Sequence, residues 1–122
     1  MYTVLVKDHI MIAHSLPDSY FGPASGMHGA TYIIDAIFSS NHLNEKNVVI
    51  DIGEASQILN KVAAGLNYKN LDELPEFKDI LTTTEFLAKH IHDKVKAQLS
   101  QKLGLKIVLH ESHVASASYE SQ

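Results

Sequence analysis

Two histidines and one glutamate occupy positions where an otherwise apolar strand face ends or is interrupted. His14 ends the face formed by alternate residues of the stretch 2–14, and His28 begins a second stretch of this kind. Glu111 shares the apolar parity of a third stretch near the end of the chain. An imidazole can bind a metal ion or carry a proton, and a carboxylate on an apolar face needs N–H donors that offset its desolvation. These three residues are therefore the first candidates for a functional site.

The composition narrows the classes of function. The 122 residues include ten lysines but no arginine and no cysteine. Nucleic acids are recognised largely through arginine forks and basic patches, so we expect no nucleic-acid partner. The lack of cysteine excludes disulfides and a thiolate nucleophile and favours a reducing compartment. No apolar run approaches the ~20 residues that span a bilayer, so we expect a cytoplasmic protein without a membrane partner.

The hydrophobic patterns predict one α+β domain over residues 1–122, with the element order β-β-α-α-β-β. Strands are expected at 2–14 and 28–40, a short strand at 48–51, helices at 55–66 and 82–104, and two final strands within 105–119. The spacing from Thr82 to Glu85 is that of a capping box, which places the start of the second helix there. Two hairpins flanking two helices imply a four-stranded antiparallel sheet with both helices on one face. Its open edges favour a homo-oligomer.

Five short motifs, in order along the chain, resemble those of the 6-pyruvoyltetrahydropterin synthase and 6-carboxytetrahydropterin synthase family. They are Ala13-His14-Ser15-Leu16, His28-Gly29-Ala30-Thr31-Tyr32, the stretch 66–72 (Leu-Asn-Tyr-Lys-Asn-Leu-Asp), Thr82-Thr83-Thr84-Glu85, and the stretch from His110 to Tyr119. The resemblance runs from one end of the chain to the other. It implies a T-fold and a homohexamer of two trimers, in which each trimer closes its sheets into a β-barrel.

The resemblance also implies a zinc site of three histidines. His14 and His28 match two of the ligand positions, but Ala30 occupies the third. Two imidazoles usually hold zinc weakly unless another ligand is recruited, and His110 and His113 are the possible recruits. We therefore expect no cofactor, with zinc possible only through such a recruit. The alternative is that His14 and His28 are strand-end histidines satisfied by nearby backbone or water. The other histidines, His9, His42, His90 and His92, are expected to be ordinary strand, loop or helix-surface residues.

The catalytic residues that the resemblance implies are replaced. The family's cysteine falls at about Ala24, and its Asp-His pair reads Asn67-Tyr68. Asparagine carries no charge that could orient an imidazole, and tyrosine, with an ordinary pKa near ~10, is a poor base at neutral pH. None of the three positions that transfer protons in the family therefore carries a residue suited to that role here.

The residues that bind pterin in the family are retained. By resemblance, Glu111 pairs with the 2-amino and ring N–H groups of a pterin, and Thr83 and Thr84 add polar contacts at a subunit interface. The structural alternatives are an ion pair between Glu111 and a lysine, and helix capping by the threonines. We expect a homo-oligomer that binds a pterin-like molecule and lacks the family's zinc and acid-base chemistry. The alternative function is a zinc-dependent lyase of the 6-carboxytetrahydropterin synthase type, in queuosine or pterin biosynthesis, with His113 or Tyr68 as a replacement residue.

Overall fold

Five strands form one sheet that carries two helices on one of its faces. The computed structural model describes residues 1–122. The strands are β1 (Tyr2–His14), β2 (His28–Ser40), β3 (Lys69–Asn70), β4 (Gly104–Ser112) and β5 (Ala115–Ser121), and the helices are α1 (Ile52–Ala64) and α2 (Thr84–Lys96). The strand order across the sheet is β3-β1-β2-β4-β5. Neither helix is long and apolar enough to cross a membrane.

The core lies between the sheet and the helices. β1 and β2 pair antiparallel along their whole length, from Tyr2 opposite Ser40 to His14 opposite His28. The even-numbered residues of these two strands and the odd-numbered residues of β4 face the helices. This confirms the predicted alternation. The largest buried side chains include Ile10, Tyr32, Ile34, Phe38, Leu59, Leu87, Ile91 and Ile107.

The sheet differs from the expected four-stranded antiparallel one. A fifth strand, β3, adds a short parallel pairing in which Ile12 lies opposite Lys69. Two residues are too few to produce a periodic pattern, so the sequence did not indicate this strand. The strand predicted at 48–51 is wrong. That segment is a loop in which Val49 and Ile50 are buried and Asp51 caps α1 by accepting a hydrogen bond from the N–H of Glu54.

The predicted ends of the second helix are also wrong. The N-cap of α2 is Thr83, whose hydroxyl oxygen accepts a hydrogen bond of 3.1 Å from the N–H of Phe86. Thr82 is instead buried, with its hydroxyl oxygen close to the ring of His14. The helix ends at Lys96, well before Gly104, which begins β4. A Cβ atom at Gly104 would collide with the Ser39 hydroxyl, so this glycine permits close packing of strands and does not end a helix.

Both edges of the sheet are mostly open. The outer edge of β1 pairs with β3 only at Ile12 and Ala13, and β5 has no neighbour on its outer side. The face opposite the helices exposes apolar side chains, among them Leu5, Met11 and Ile33. Open edges and an uncovered, partly apolar face are the features that association with other copies would cover.

The uncovered face also holds a cluster of charged side chains. Asp35, on the central strand β2, contacts Lys7 on β1, and its Oδ2 lies 2.9 Å from Nε2 of His110 on β4. Burial alone would raise the pKa of Asp35, but the hydrogen bonds and charges of Lys7 and His110 outweigh it and hold that pKa below its ordinary value. Asp35 is therefore an ionised, largely buried carboxylate that links three strands.

Candidate functional site

His14 and His28 lie side by side at the end of the β1–β2 hairpin. They are directly opposite each other in the strand register, and their ring centroids are 4.6 Å apart in an edge-to-face arrangement. Nδ1 of His28 lies 2.8 Å from the carbonyl oxygen of Gly26. A carbonyl can only accept, so this nitrogen carries the proton and Nε2 of His28 keeps a free lone pair. The structure therefore brings the rings of His14 and His28 together at one end of the sheet.

The environment of His14 keeps its ring neutral. Its Nδ1 lies 2.9 Å from the hydroxyl oxygen of Thr82. Burial lowers the pKa of His14, the neighbouring His28 lowers it further, and Asp72 and Thr82 oppose the shift. Asp72 also accepts hydrogen bonds from the backbone N–H and hydroxyl of Ser15, which hold the chain just beyond His14. This contact supports the alternative in which His14 is a strand-end histidine, because Thr82 satisfies one of its ring nitrogens.

The residues around the histidine pair do not complete a three-imidazole metal site. Ala30, two residues beyond His28 on the same face of β2, supplies no ligand atom. No group of three or more His, Cys, Asp or Glu residues in the chain could hold a metal ion. Low zinc content stays a prediction, because these observations cover the ligand atoms of one protomer and not those of a neighbouring copy.

The two histidines considered as recruits lie elsewhere. His110 is on the face opposite His14, because it pairs with Ile33 in the β2–β4 register, and its Nε2 is bonded to Asp35. Recruitment of His110 within the protomer is therefore wrong, and the reason is strand parity. His113 lies in the exposed turn between β4 and β5.

The positions that correspond to the family's catalytic residues have structural roles here. The carbonyl of Ala24 accepts a hydrogen bond from the N–H of Leu16, and the side-chain oxygen of Asn67 accepts one of 2.9 Å from the N–H of Met11. Tyr68 donates its own N–H to the Met11 carbonyl and has a φ of 61°. The residue is 77% exposed. A bulky side chain in the left-handed region is unusual and strained, so the two bonds to Met11 hold Tyr68 in this conformation.

Glu111 lies at a break in the β4–β5 ladder. The register shifts between His110 and Ser112, so Glu111 is the bulged residue. A bulge redirects a side chain and commonly occurs beside a functional site. The carboxylate is exposed in the protomer and lines a cleft of about 390 Å³ with Thr84, Glu85 and the segment 115–118. The expectation of a half-buried Glu111 is therefore wrong for the isolated chain. Glu111 forms no ion pair, so the structure gives no support to a salt bridge with a lysine.

Tyr32 is a buried residue of β2 that lies near Thr84 and Glu111, and the sequence pattern marked it only as part of the motif that begins at His28. Burial raises the pKa of Tyr32, the neighbouring Thr84 side chain opposes part of that rise, and the Glu111 carboxylate adds to it. Tyr32 is 1% exposed and directly opposite Ile10 in the register. Its place in the motif that begins at His28 was the available signal. The structure thus brings Glu111, Thr84 and Tyr32 together.

Thr83 has a different position from Thr84. The Thr83 oxygen caps α2, as the capping alternative anticipated, although the capping residue was expected to be Thr82. Its hydroxyl proton stays available, since capping uses the oxygen as an acceptor. Thr84 is the first residue of α2 and lines the Glu111 cleft. The free N–H groups of this helix end place partial positive charge near the carboxylate.

The chain matches known proteins over nearly its whole length. The sequence profile described as 6-pyruvoyl tetrahydropterin synthase matches residues 3–122. A Bacillus subtilis protein named 6-carboxy-5,6,7,8-tetrahydropterin synthase is 32% identical over 102 residues, which are 78% of this chain and 66% of that protein. A Dictyostelium discoideum protein named 6-pyruvoyl tetrahydrobiopterin synthase is 32% identical over 85 residues, 68% of this chain and 63% of that protein. The matches thus span just under two thirds of the length of these two relatives.

Solved structures show the same fold at lower identity. The Caenorhabditis elegans 6-pyruvoyl tetrahydropterin synthase superposes with a TM-score of 0.87 and 20% identity, covering 99% of this chain and 96% of the other. The Plasmodium vivax enzyme gives a TM-score of 0.82 and 15% identity, covering 99% and 98%. These likenesses establish the T-fold. With the profile match over residues 3–122, they show that the chain belongs to the 6-pyruvoyl tetrahydropterin synthase family.

Proposed function

We propose that the protein binds a pterin-like molecule in the Glu111 cleft, as a homo-oligomer in the cytoplasm, without the family's zinc and acid-base chemistry. The observation that carries this proposal is the Glu111 carboxylate, which a β-bulge presents to a cleft and which no cation neutralises within the protomer. A carboxylate can accept two hydrogen bonds from adjacent N–H donors, such as the 2-amino and ring N–H groups of a pterin. The two relatives, both named for the synthesis of a tetrahydropterin, support the choice of ligand.

The surroundings of Glu111 suit a planar heterocycle with polar edges. Thr84 offers a hydroxyl at the cleft wall, and the Tyr32 hydroxyl lies near both residues. A volume of about 390 Å³ lies in the range of ordinary small-molecule sites. Glu85 is a second carboxylate in the same cleft, in the first turn of α2. It is therefore the alternative anchor against which Glu111 must be tested.

Assembly with other copies would complete such a site. In the protomer Glu111 is exposed, and a ligand there would be open to water on one side. The free edge of β5 lies beside the cleft, and the free edge of β1 lies on the far side of the sheet. Pairing of these edges between copies would close the sheet and shield the cleft. A hexamer of two closed trimers is the assembly that we propose.

The proposal that zinc chemistry is lost depends on which side chains can supply ligand atoms to a metal ion. His14 and His28 keep adjacent rings, but Ala30 supplies no third ligand and His110 faces away. The retained histidine pair is the one observation that favours the alternative, a zinc-dependent lyase of the 6-carboxytetrahydropterin synthase type. That function would need a third ligand from another copy. Zinc retained near one equivalent per chain after a chelator wash would support it.

Ligand titration tests the proposed function directly. Isothermal calorimetry with pterin, biopterin and guanine measures affinity, and sedimentation of the same samples measures the assembly. We expect at least one of the two pterins to bind, and we expect an oligomer larger than a dimer. If neither pterin binds to the oligomer, the pterin proposal is wrong, whether or not guanine binds.

A further inference from the structure

Three side chains outside the Glu111 cleft form a continuous hydrogen-bonded chain between α2 and β5. Oδ1 of Asp93 lies 2.9 Å from Nδ1 of His92, and Nε2 of His92 lies 2.7 Å from the hydroxyl oxygen of Ser121. A carboxylate only accepts, so Nδ1 donates to Asp93, and Nε2 of the neutral ring accepts the proton of Ser121. An orienting carboxylate, a base and a hydroxyl are thus arranged in the order used in nucleophilic catalysis.

Asp93 is held in place from its other side. Its Oδ2 lies 2.7 Å from Nζ of Lys89, one helical turn earlier. The hydrogen bonds from Lys89 and His92 hold the pKa of Asp93 below its ordinary value, so the carboxylate is ionised at neutral pH. An ionised carboxylate at Nδ1 fixes the tautomer in which Nε2 of His92 is the base.

His92 is shielded from solvent, whereas Ser121 is only partly buried. His92 is 3% exposed, and its ring contacts Tyr119 edge to face with the centroids 4.7 Å apart. The prediction that His92 is a helix-surface residue is therefore wrong. Ser121 is only partly buried, at the end of the edge strand β5.

A cation lies beside the same strand end. Nζ of Lys96 donates hydrogen bonds to the carbonyl oxygens of Leu103 and Gln122, the latter at 2.9 Å. Gln122 is the residue next to Ser121 in sequence. The two bonds from Lys96 therefore hold the backbone next to Ser121 in place.

We propose that Ser121 is an activated nucleophile that hydrolyses small carboxylic esters. The Ser121 oxygen attacks the ester carbonyl carbon while its proton passes to Nε2 of His92. The alcohol then leaves with that proton, and the acyl group remains on Ser121 as an ester. Water, deprotonated by His92, attacks this ester, and the proton returns to Ser121 as the carboxylic acid departs. Asp93 stays ionised throughout and acts as a positioning residue.

A fluorophosphonate probe tests this proposal on the full chain. Such a probe forms a phosphonyl ester with an activated serine, and peptide mass spectrometry identifies the labelled residue. Ser100 is the matched control because it lies between α2 and β4 and is more exposed than Ser121, but it has no histidine partner. We expect the adduct on Ser121 and not on Ser100, loss of labelling in Ser121→Ala, and unchanged labelling in Ser100→Ala.

The variant Asp93→Asn separates an activated serine from a merely accessible one. Asp93 is exposed, so the variant is expected to fold, and circular dichroism checks that it does. Without the carboxylate the labelling rate should fall by ~10-fold or more, since positioned general bases contribute ~10²–10⁴-fold. Hydrolysis of p-nitrophenyl acetate should fall in parallel. No adduct on Ser121, equal labelling of Ser100, or labelling of Asp93→Asn at the wild-type rate would each overturn the proposal.

Discussion

The hydroxyl of Thr82 lies 2.9 Å from Nδ1 of His14 and thereby ties the start of α2 to the end of β1. Two residues later, Thr84 lines the Glu111 cleft. The segment from Thr82 to Thr84 therefore connects the histidine pair with the proposed ligand site, and each threonine has a different task. One satisfies a buried imidazole, the next caps the helix, and the third faces the cleft.

Substitution of the second and third threonines should separate helix capping from ligand binding. Thr83→Ala removes the side-chain oxygen that caps α2 by accepting the N–H of Phe86. We therefore expect the free energy of unfolding to fall by about 1 kcal/mol with little change in pterin affinity. Thr84→Ala should lower the affinity and leave the stability nearly unchanged. Urea denaturation and calorimetry on both variants measure the two quantities. The reverse pattern would assign Thr83 to the ligand and leave Thr84 without a role in binding.

The histidine pair should regain metal affinity when the missing ligand is restored. We expect the protein as isolated to hold clearly less than one zinc per chain, because Ala30 removes one imidazole of three. Ala30→His should raise the zinc that survives a chelator wash, since position 30 shares a strand face with His28. Thr31→His, on the other face of the same strand, is the matched control and should have no effect. Elemental analysis that finds no gain for Ala30→His would mean that the geometry of His14 and His28 no longer suits a metal.

The strained backbone at Tyr68 predicts a stabilising substitution. Glycine adopts a φ of 61° without steric penalty, and relief of a strain of about 1–2 kcal/mol exceeds the entropy that glycine adds to the unfolded chain. Tyr68→Gly should therefore raise the free energy of unfolding by about 0.5–1 kcal/mol. Asn47→Gly, at a residue with a φ of 63° that tolerates this region better, should gain less. A clear loss of stability in Tyr68→Gly would show that the exposed ring makes contacts in the assembly that outweigh the strain.

The Asp35 cluster predicts an acid-sensitive contribution to stability. Because the pKa of Asp35 is lower in the folded protein than in the unfolded chain, its contribution is present above the unfolded pKa and is lost as the pH falls through the folded one. The difference in unfolding free energy between wild type and Asp35→Asn should therefore be largest near neutral pH and shrink below about pH 4. Denaturant melts at several pH values measure it. A difference that does not change with pH would remove Asp35 as the source.

Particular residues show what the sequence could predict. Alternation along β1, β2 and β4 gives strong signals because each strand buries one face, so His14, His28 and Glu111 could be placed on their strands. The ends of the helices and strands gave weaker signals. Thr82 and Thr83 are both able to cap a helix, and only the burial of Thr82 against His14 decides between them.

Some features of the candidate sites had no clear signal, and one had a signal that was not used. The bulge at Glu111 depends on pairing between strands, which a single sequence does not display. His92 lies four residues after Ala88 and three before Val95, both of them buried. This spacing places His92 on the inner face of α2 and could have indicated its burial.

The affinity of the Glu111→Gln variant for a pterin tests the central claim most directly. Glutamine keeps the shape of the side chain but presents an amide donor to a ligand donor, so we expect the affinity to fall at least ~10-fold, or about 1.4 kcal/mol. Glu120→Gln, which changes a carboxylate on β5 that does not line the cleft, should bind as wild type does, and Glu85→Gln should lose less than Glu111→Gln. Calorimetry on oligomers of equal assembly state provides the comparison. Wild-type affinity in Glu111→Gln would contradict the account, because the carboxylate at the bulge would then not be the group that recognises the ligand.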